Sequence, residues 1–190
     1  MGADVIVGAD GRRRCSWAET GQSGIRDYHD EVWGTRTTDQ STIFESLTLG
    51  VFQAGLSWSI VFGKRDGFRR AFHGFDVATT AAMTEAAIDE LMRDPSIIRN
   101  HAKIAATIAN AQALQNAWPD VLDLLDSART GHAPPPTLAD IPTSTTEAER
   151  LTRELKSRAF RFVGPTSVYA FMQNVGVVND HLEGCFRAAT

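Results

Sequence analysis

The chain has 190 residues, 43% of them hydrophobic, with a formal net charge of −4 and two cysteines. That length buries a core without covalent staples, so a disulfide-dense mini-domain is excluded and one domain, or two interlocked lobes, is expected. Two cysteines build no disulfide framework, no run of about 18 apolar residues is present, and residues 1–10 lack a basic start followed by an apolar stretch. A cytoplasmic protein with no membrane partner is therefore expected.

The acidic balance opposes a polyanionic partner, but charge distribution matters more than its sum. Basic residues gather at Arg12, Arg13 and Arg14, at Lys64, Arg65, Arg69 and Arg70, within 99–103 and within 153–161, while acids concentrate in 85–94, 120–126 and 140–149. The pattern fits either a bipolar surface or a set of solvated helix faces.

In chain order, residues 1–11 read as a flexible tail. Cys15 and His29 follow, and His181 and Cys185 lie near the other end, which is the inventory of a Cys2His2 zinc site joining the two termini. The spacing of His181 and Cys185, four apart, puts both on one face if that segment is helical. The same residues also read as two unrelated buried thiols and two ordinary histidines. Apolar residues then recur at three- and four-residue steps over 42–52, 67–72, 85–92, 98–116, 121–125, 147–159 and 166–175, with no competing hairpin pattern, so the class is all-α. Thr84 before Glu85 and the run Ser144-Thr145-Thr146-Glu147 are helix starts, and Pro134-Pro135-Pro136 marks a loop.

Two stretches stand out. In Gln53-Ala54-Gly55-Leu56-Ser57-Trp58 a helix meets a glycine turn that exposes Leu56 and Trp58, which is costly unless they touch something. The segment Asp94 to Lys103 breaks two helices with an apolar centre, Ile97 and Ile98, and basic residues beyond it. It reads as a plain connection or as a hairpin that aims backbone N–H groups at a phosphate, with Ser96, Arg99 and Lys103 beside it.

The strings Tyr28-His29-Asp30-Glu31-Val32-Trp33-Gly34, Gln53 to Trp58, Ile141-Pro142-Thr143-Ser144, Arg161 to Thr166 and Asn179 to Cys185 together resemble the 3-methyladenine DNA glycosylase I family, over nearly the whole chain from about Arg14 to Phe186. The resemblance implies a helix-hairpin-helix glycosylase fold in a single domain, 1–190. It places a hairpin lobe at about 40–165 and terminal segments 12–39 and 166–190 joined by structural Zn2+ on Cys15, His29, His181 and Cys185. It implies a monomeric hydrolase that flips an alkylated adenine from duplex DNA and cleaves its N-glycosidic bond, with no Schiff-base lysine. Trp17, Tyr28 and Trp58 match the family's pocket aromatics, Gln53 and Phe52 fall beside them, and Leu56 matches a residue that fills the gap in the duplex.

The chain departs from the family pattern where a pocket glutamate accepts hydrogen bonds from the flipped base: Gly50 stands there. Losing a charged hydrogen bond of about 1.5–3 kcal/mol corresponds to roughly 10- to 150-fold in rate. Val51 and Phe52 add apolar groups, so a wider, less polar pocket with altered lesion preference is expected. The alternatives are a protein that binds alkylated DNA without cleaving it and a zinc-stabilised protein-interaction module. Ser96 and Ala102 replace glycines common in the family hairpin, which points to weaker DNA contact.

Overall fold

The computed structural model describes residues 4–118 and 120–188. Its helices begin largely at side chains that accept an otherwise orphaned backbone N–H. A first short helix, α1 (Ile25–Asp27), runs into a π-helical turn, Tyr28–Val32. Asp39 caps α2 (Gln40–Gln53), accepting from the Thr42 N–H at 2.8 Å. Ser57 caps α3 (Trp58–Phe62), which is followed by α4 (Arg65–Ala71), and Asp76 caps α5 (Val77–Ala81). Next come α6 (Glu85–Leu91) and α7 (His101–Ala117), the latter capped by Asn100. Then follow α8 (Asp120–Ser127), α9 (Thr146–Ser157), capped by Thr145, and α10 (Pro165–Asn174), with Pro165 in its first turn.

The fold is mostly helical, as the periodicity implies, with one correction. Val5–Val7 (β1) and Arg13–Cys15 (β2) form a two-stranded antiparallel sheet in the register Val5 to Cys15 and Val7 to Arg13. Residues 4–11, expected as part of a tail, thus include β1 and a turn in which the Gly8 N–H bonds the Arg12 carbonyl at 2.8 Å. Strands of three residues are too short to show a period-two alternation. The short α1, α3 and α5 were hidden for the same reason.

The core is organised around α2, in which residues 43–52 are all buried. It packs against α10 and α7, while α7 also packs on α5. Phe44, Phe52, Phe68, Phe72 and Phe75 are completely buried and meet ring to ring, Phe52 and Phe68 at 4.5 Å. Each such phenyl contributes about 1.5–3 kcal/mol on transfer from water.

Residues between α6 and α7 form the expected hairpin, and it is tied down from below. Lys64 Nζ donates to the Pro95 carbonyl at 2.7 Å, and α4 approaches so closely that a Cβ on Gly67 would lie 2.2 Å from the Ser96 carbonyl oxygen. Lys103, in the first turn of α7, is buried, and its Nζ donates to the carbonyls of Phe52 and Ala54 at 3.0 and 2.7 Å. It therefore caps the end of α2 instead of facing outward. Gly67→Ala is expected to lower stability by about 1–3 kcal/mol through overpacking. Gly50→Ala, whose new methyl would meet only the Ser167 carbonyl at 3.5 Å, is expected to raise stability by about 0.5–1 kcal/mol. Urea unfolding of the two variants checks both signs.

Candidate active site and metal centre

Tyr28, on the π-helical turn, and Trp58, at the start of α3, stand with ring centroids 5.5 Å apart, and Trp17 meets Trp33 edge to face at 5.1 Å. Between these pairs opens a cavity of about 350 Å³, closed on its far side by Gln53 of α2 and by Gln173 and Asn174 of α10. The Tyr28 hydroxyl donates to Asn174 Oδ1 at 2.8 Å, and burial pushes the phenol pKa well above its ordinary value, so it stays neutral. Arg65 lies over the Tyr28 ring at 5.2 Å, but its charge is met by Glu45, which also accepts from Arg69. Glu45 is thus committed to arginines, and no Asp or Glu lines the cavity among the described residues.

The structure brings Trp17, Tyr28, Gln53 and Trp58 together around one cavity. Phe52 lies off it, and Gly50, on the same face of α2 as Gln53, has no side chain to reach it. Phe52 points into the core against Phe68, because adjacent helix positions differ by about 100°. Gly50, about one turn before Gln53 on α2, faces the Ser167 carbonyl of α10. The apolar groups of Val51 and Phe52 are therefore core packing and do not widen the pocket.

Leu56 follows Gly55, whose φ of +81° turns the chain after α2, and is 39% exposed; Ile60 beside it is 50% exposed. At the hairpin Ser96 and Ile98 are half-buried, Ile97 is in the core and Arg99 is exposed. One amide at the start of α7 is already bonded, since Lys103 N–H donates to Asn100 Oδ1 at 3.1 Å. Desolvation lowers the Lys103 pKa.

The two termini meet behind the cavity. Cys15 ends β2, His29 sits on the π-helical turn next to Tyr28, and Cys185 follows a turn at Gly184. Their ligand atoms lie within 4.8 Å of one another, all buried, with Cys185 Sγ 3.5 Å from His29 Nε2. His29 Nδ1 bonds Asp30 Oδ1 at 2.8 Å, leaving Nε2 for the thiols, the arrangement by which a carboxylate orients a metal-bound imidazole. Asp30 is held in turn by Arg14, a buried guanidinium that also pairs with Asp10. Hydrogen bonding between the two thiols pulls the Cys185 pKa down and pushes that of Cys15 up. This buried group could hold a metal ion.

His181 adjoins it. The His181 ring lies 4.6 Å from that of His29, with Nδ1 at 2.8 Å from Asn179 Oδ1 and Nε2 at 3.3 Å from the His29 carbonyl oxygen. Burial lowers its pKa to about 4, so the neutral, ligating form prevails. The segment from His181 to Cys185 is a turn and not the helix assumed from its spacing; Gly184, at φ +84°, reverses the chain there.

Residues 17–188 match the family model described as methyladenine glycosylase. The chain is 44% identical to DNA-3-methyladenine glycosylase 1 of Escherichia coli (strain K12) over 180 residues, covering 90% of this chain and 95% of that protein. It belongs to the methyladenine glycosylase family. The Haemophilus influenzae DNA-3-methyladenine glycosylase is 40% identical over 90% of this chain and 96% of its own length. A crystal structure of 3-methyladenine DNA glycosylase I superposes with a TM-score of 0.82 at 41% identity, covering 91% of this chain and 98% of that one. A structure of the Staphylococcus aureus enzyme, described as the basis of its 3-methyladenine recognition, gives 0.82 at 30% identity, covering 90% and 95%. The protein is a homologue of monofunctional glycosylase hydrolases that repair DNA. Among the described residues no helix is long and apolar enough to cross a membrane.

Within this family frame, sequence reasoning missed Trp33, Gln173 and Asn174. Trp33 was visible inside the motif from Tyr28 to Gly34; Asn174 had no local signal, since only the fold carries the end of α10 to Tyr28. The pair of Arg14 with Asp10 and Asp30 was also invisible, being spread over a turn, a strand and the π-helical turn. Arg14→Ala would leave Asp30 beside the histidine without its buried partner. A loss of about 3–5 kcal/mol is expected in equilibrium unfolding.

Proposed function

We propose that this protein hydrolyses the N-glycosidic bond of an N3-alkylated purine flipped out of duplex DNA into the aromatic cavity. The observation that carries this is the enclosure of a base-sized space by Trp17, Trp33, Tyr28 and Trp58 next to the exposed Leu56. A volume of about 350 Å³ lies in the range of small-ligand sites, about 300–1,000 Å³. An alkylated purine is cationic, and aromatic faces in a dry site attract a cation by about 2 kcal/mol or more. Leu56 and Ile60 supply an apolar wedge that offsets part of the unstacking cost when the base leaves the duplex.

The chemistry demands little proton transfer. As the bond from C1′ to the base breaks, its electron pair neutralises the base's positive charge; water adds to C1′ and loses a proton to solvent. No wall carboxylate acts as general base, and the neutral Tyr28 and Asn174 orient the departing base. Without a carboxylate at position 50, activity toward 3-methyladenine is weaker, by roughly 10- to 150-fold, than in the same cavity with one.

Phosphate contacts come from the hairpin, where Arg99 is exposed, while Lys103 holds the wedge loop. The protein acts as a cytoplasmic monomer on duplex DNA containing alkylated bases. Zn2+ is the structural ion we assign to Cys15, His29 and Cys185, with His181 as fourth ligand. That donor set of thiolates and imidazoles suits the metal, and four protein ligands leave no open position for catalysis.

Duplex DNA treated with methylating and bulkier alkylating agents, followed by mass spectrometry of released bases, tests the activity. Release by the unaltered protein is expected, with 3-methyladenine release increased about 10- to 150-fold in Gly50→Glu. Release by neither protein would sink the reading, and release only by the variant would mean a binding protein. DNA affinity is expected to fall steeply with salt, which an apolar protein-docking module would not do. One zinc per chain is expected by elemental analysis. Cys185→Ser should lose the ion and lower the thermal midpoint, while base release per folded molecule stays unchanged.

A further inference from the structure

Asn174 is the last residue of α10, only 5% exposed, and lies on the cavity wall beside Tyr28. Its Oδ1 is occupied by the Tyr28 hydroxyl at 2.8 Å. Its Nδ2 donates to no described residue and is not among the sealed, unpartnered polar atoms, so it opens on the cavity. The other buried polar side chains of that wall are Tyr28, whose proton is committed to Asn174, and Trp33, whose indole carries only a donor. Gly50 contributes no side chain. The buried side chains of the site therefore present N–H donors and no carboxylate, and the half-buried Gln53 and Gln173 add amides beside them.

That polarity discriminates between purines. On the edge away from the sugar, adenine shows the N7 acceptor and the N6 amino donor, whereas guanine shows two acceptors, N7 and O6. A donor facing the N6 amino group leaves both groups without a partner in a dry site; a donor facing O6 is satisfied. We propose that Asn174 is a specificity-determining residue of this site, its Nδ2 donating to the O6 and N7 edge of an N3-alkylated guanine, so that the pocket favours that base over its adenine counterpart. The inference rests on the glycosylase reading for the base's route into the cavity. With Oδ1 taken by the Tyr28 hydroxyl, Nδ2 is the amide atom left for a ligand, and the large aromatic walls serve either purine equally. Asn174 is the buried amide of that wall, and selection at the purine's O6 or N6 position is assigned to it.

The test compares the unaltered protein with Asn174→Ala and Asn174→Asp in two measurements. The first is the ratio of 3-methylguanine to 3-methyladenine released from methylated duplex DNA. The second is the ratio of equilibrium affinities for the two free bases, which needs no turnover. The unaltered protein is expected to prefer 3-methylguanine in both. Asn174→Ala should lower 3-methylguanine release and binding about tenfold while changing 3-methyladenine far less. Asn174→Asp, which replaces the donor with an acceptor, should move both ratios about tenfold or more toward adenine. A residue that merely supports Tyr28 would weaken both bases alike and leave the ratios fixed, and that result overturns the assignment. If neither the unaltered protein nor the two variants release a base, the hydrolytic reading alone fails. The binding ratio would still decide the role of Asn174, and binding of neither free base would overturn it.

Discussion

One turn of π-helix, Tyr28–Val32, is the constraint on which the site depends. The Trp33 N–H reaches the Tyr28 carbonyl at 2.8 Å, enclosing an extra residue in the turn, and the two side chains at its start diverge. Tyr28 enters the aromatic cavity; His29 enters the thiol cluster. The base-sized space and the cluster between the termini are therefore two sides of one backbone feature. Arg14 stabilises that feature through Asp30, and Gly34 lets the chain leave it with its N–H on the Gln173 carbonyl of α10. A side chain at Gly34 would press within 3.0 Å of the His181 ring.

Electrostatically the cavity is quieter than its surroundings. Arg65 and Arg69 stand nearby but are bound to Glu45, and the acids near the cluster are bound to Arg14. What faces the interior is aromatic carbon and amide. Such a wall suits a ligand that carries its own positive charge and sheds it on departure, because the protein need not supply a proton or strip one from water.

Much of this was legible from residue order. The long helices α2, α7, α9 and α10 announced themselves by periodicity, and the cap at Thr145 by its chemistry. Family motifs located Trp17, Tyr28, Gln53 and Trp58 on the wall and Cys15, His29 and Cys185 in the cluster. What stayed hidden depends on tertiary placement. Phe52 looked like pocket because it neighbours Gln53 in sequence, yet a helix turns neighbours to different faces. Lys103 looked like a phosphate ligand because it is a lysine near a helix start, yet its ammonium closes the carbonyls of another helix. Asn174 looked like nothing at all, since only the packing of α10 on α2 brings it to Tyr28.

The inward lysine has a mechanical consequence. By gripping Phe52 and Ala54, Lys103 joins the start of α7 to the loop that carries Leu56, and Lys64 and the close approach at Gly67 clamp the hairpin to α4. Hairpin and Leu56 loop are thereby parts of one stiff bracket, whose spacing is set during folding; in the function we propose they are the backbone grip and the duplex wedge. A probe of fixed reach interrogates every position it passes with the same geometry, and the freedom left to vary is that of the nucleic acid. In the proposed function, discrimination at first contact then reports how easily a base pair yields, before the cavity reads which base it is.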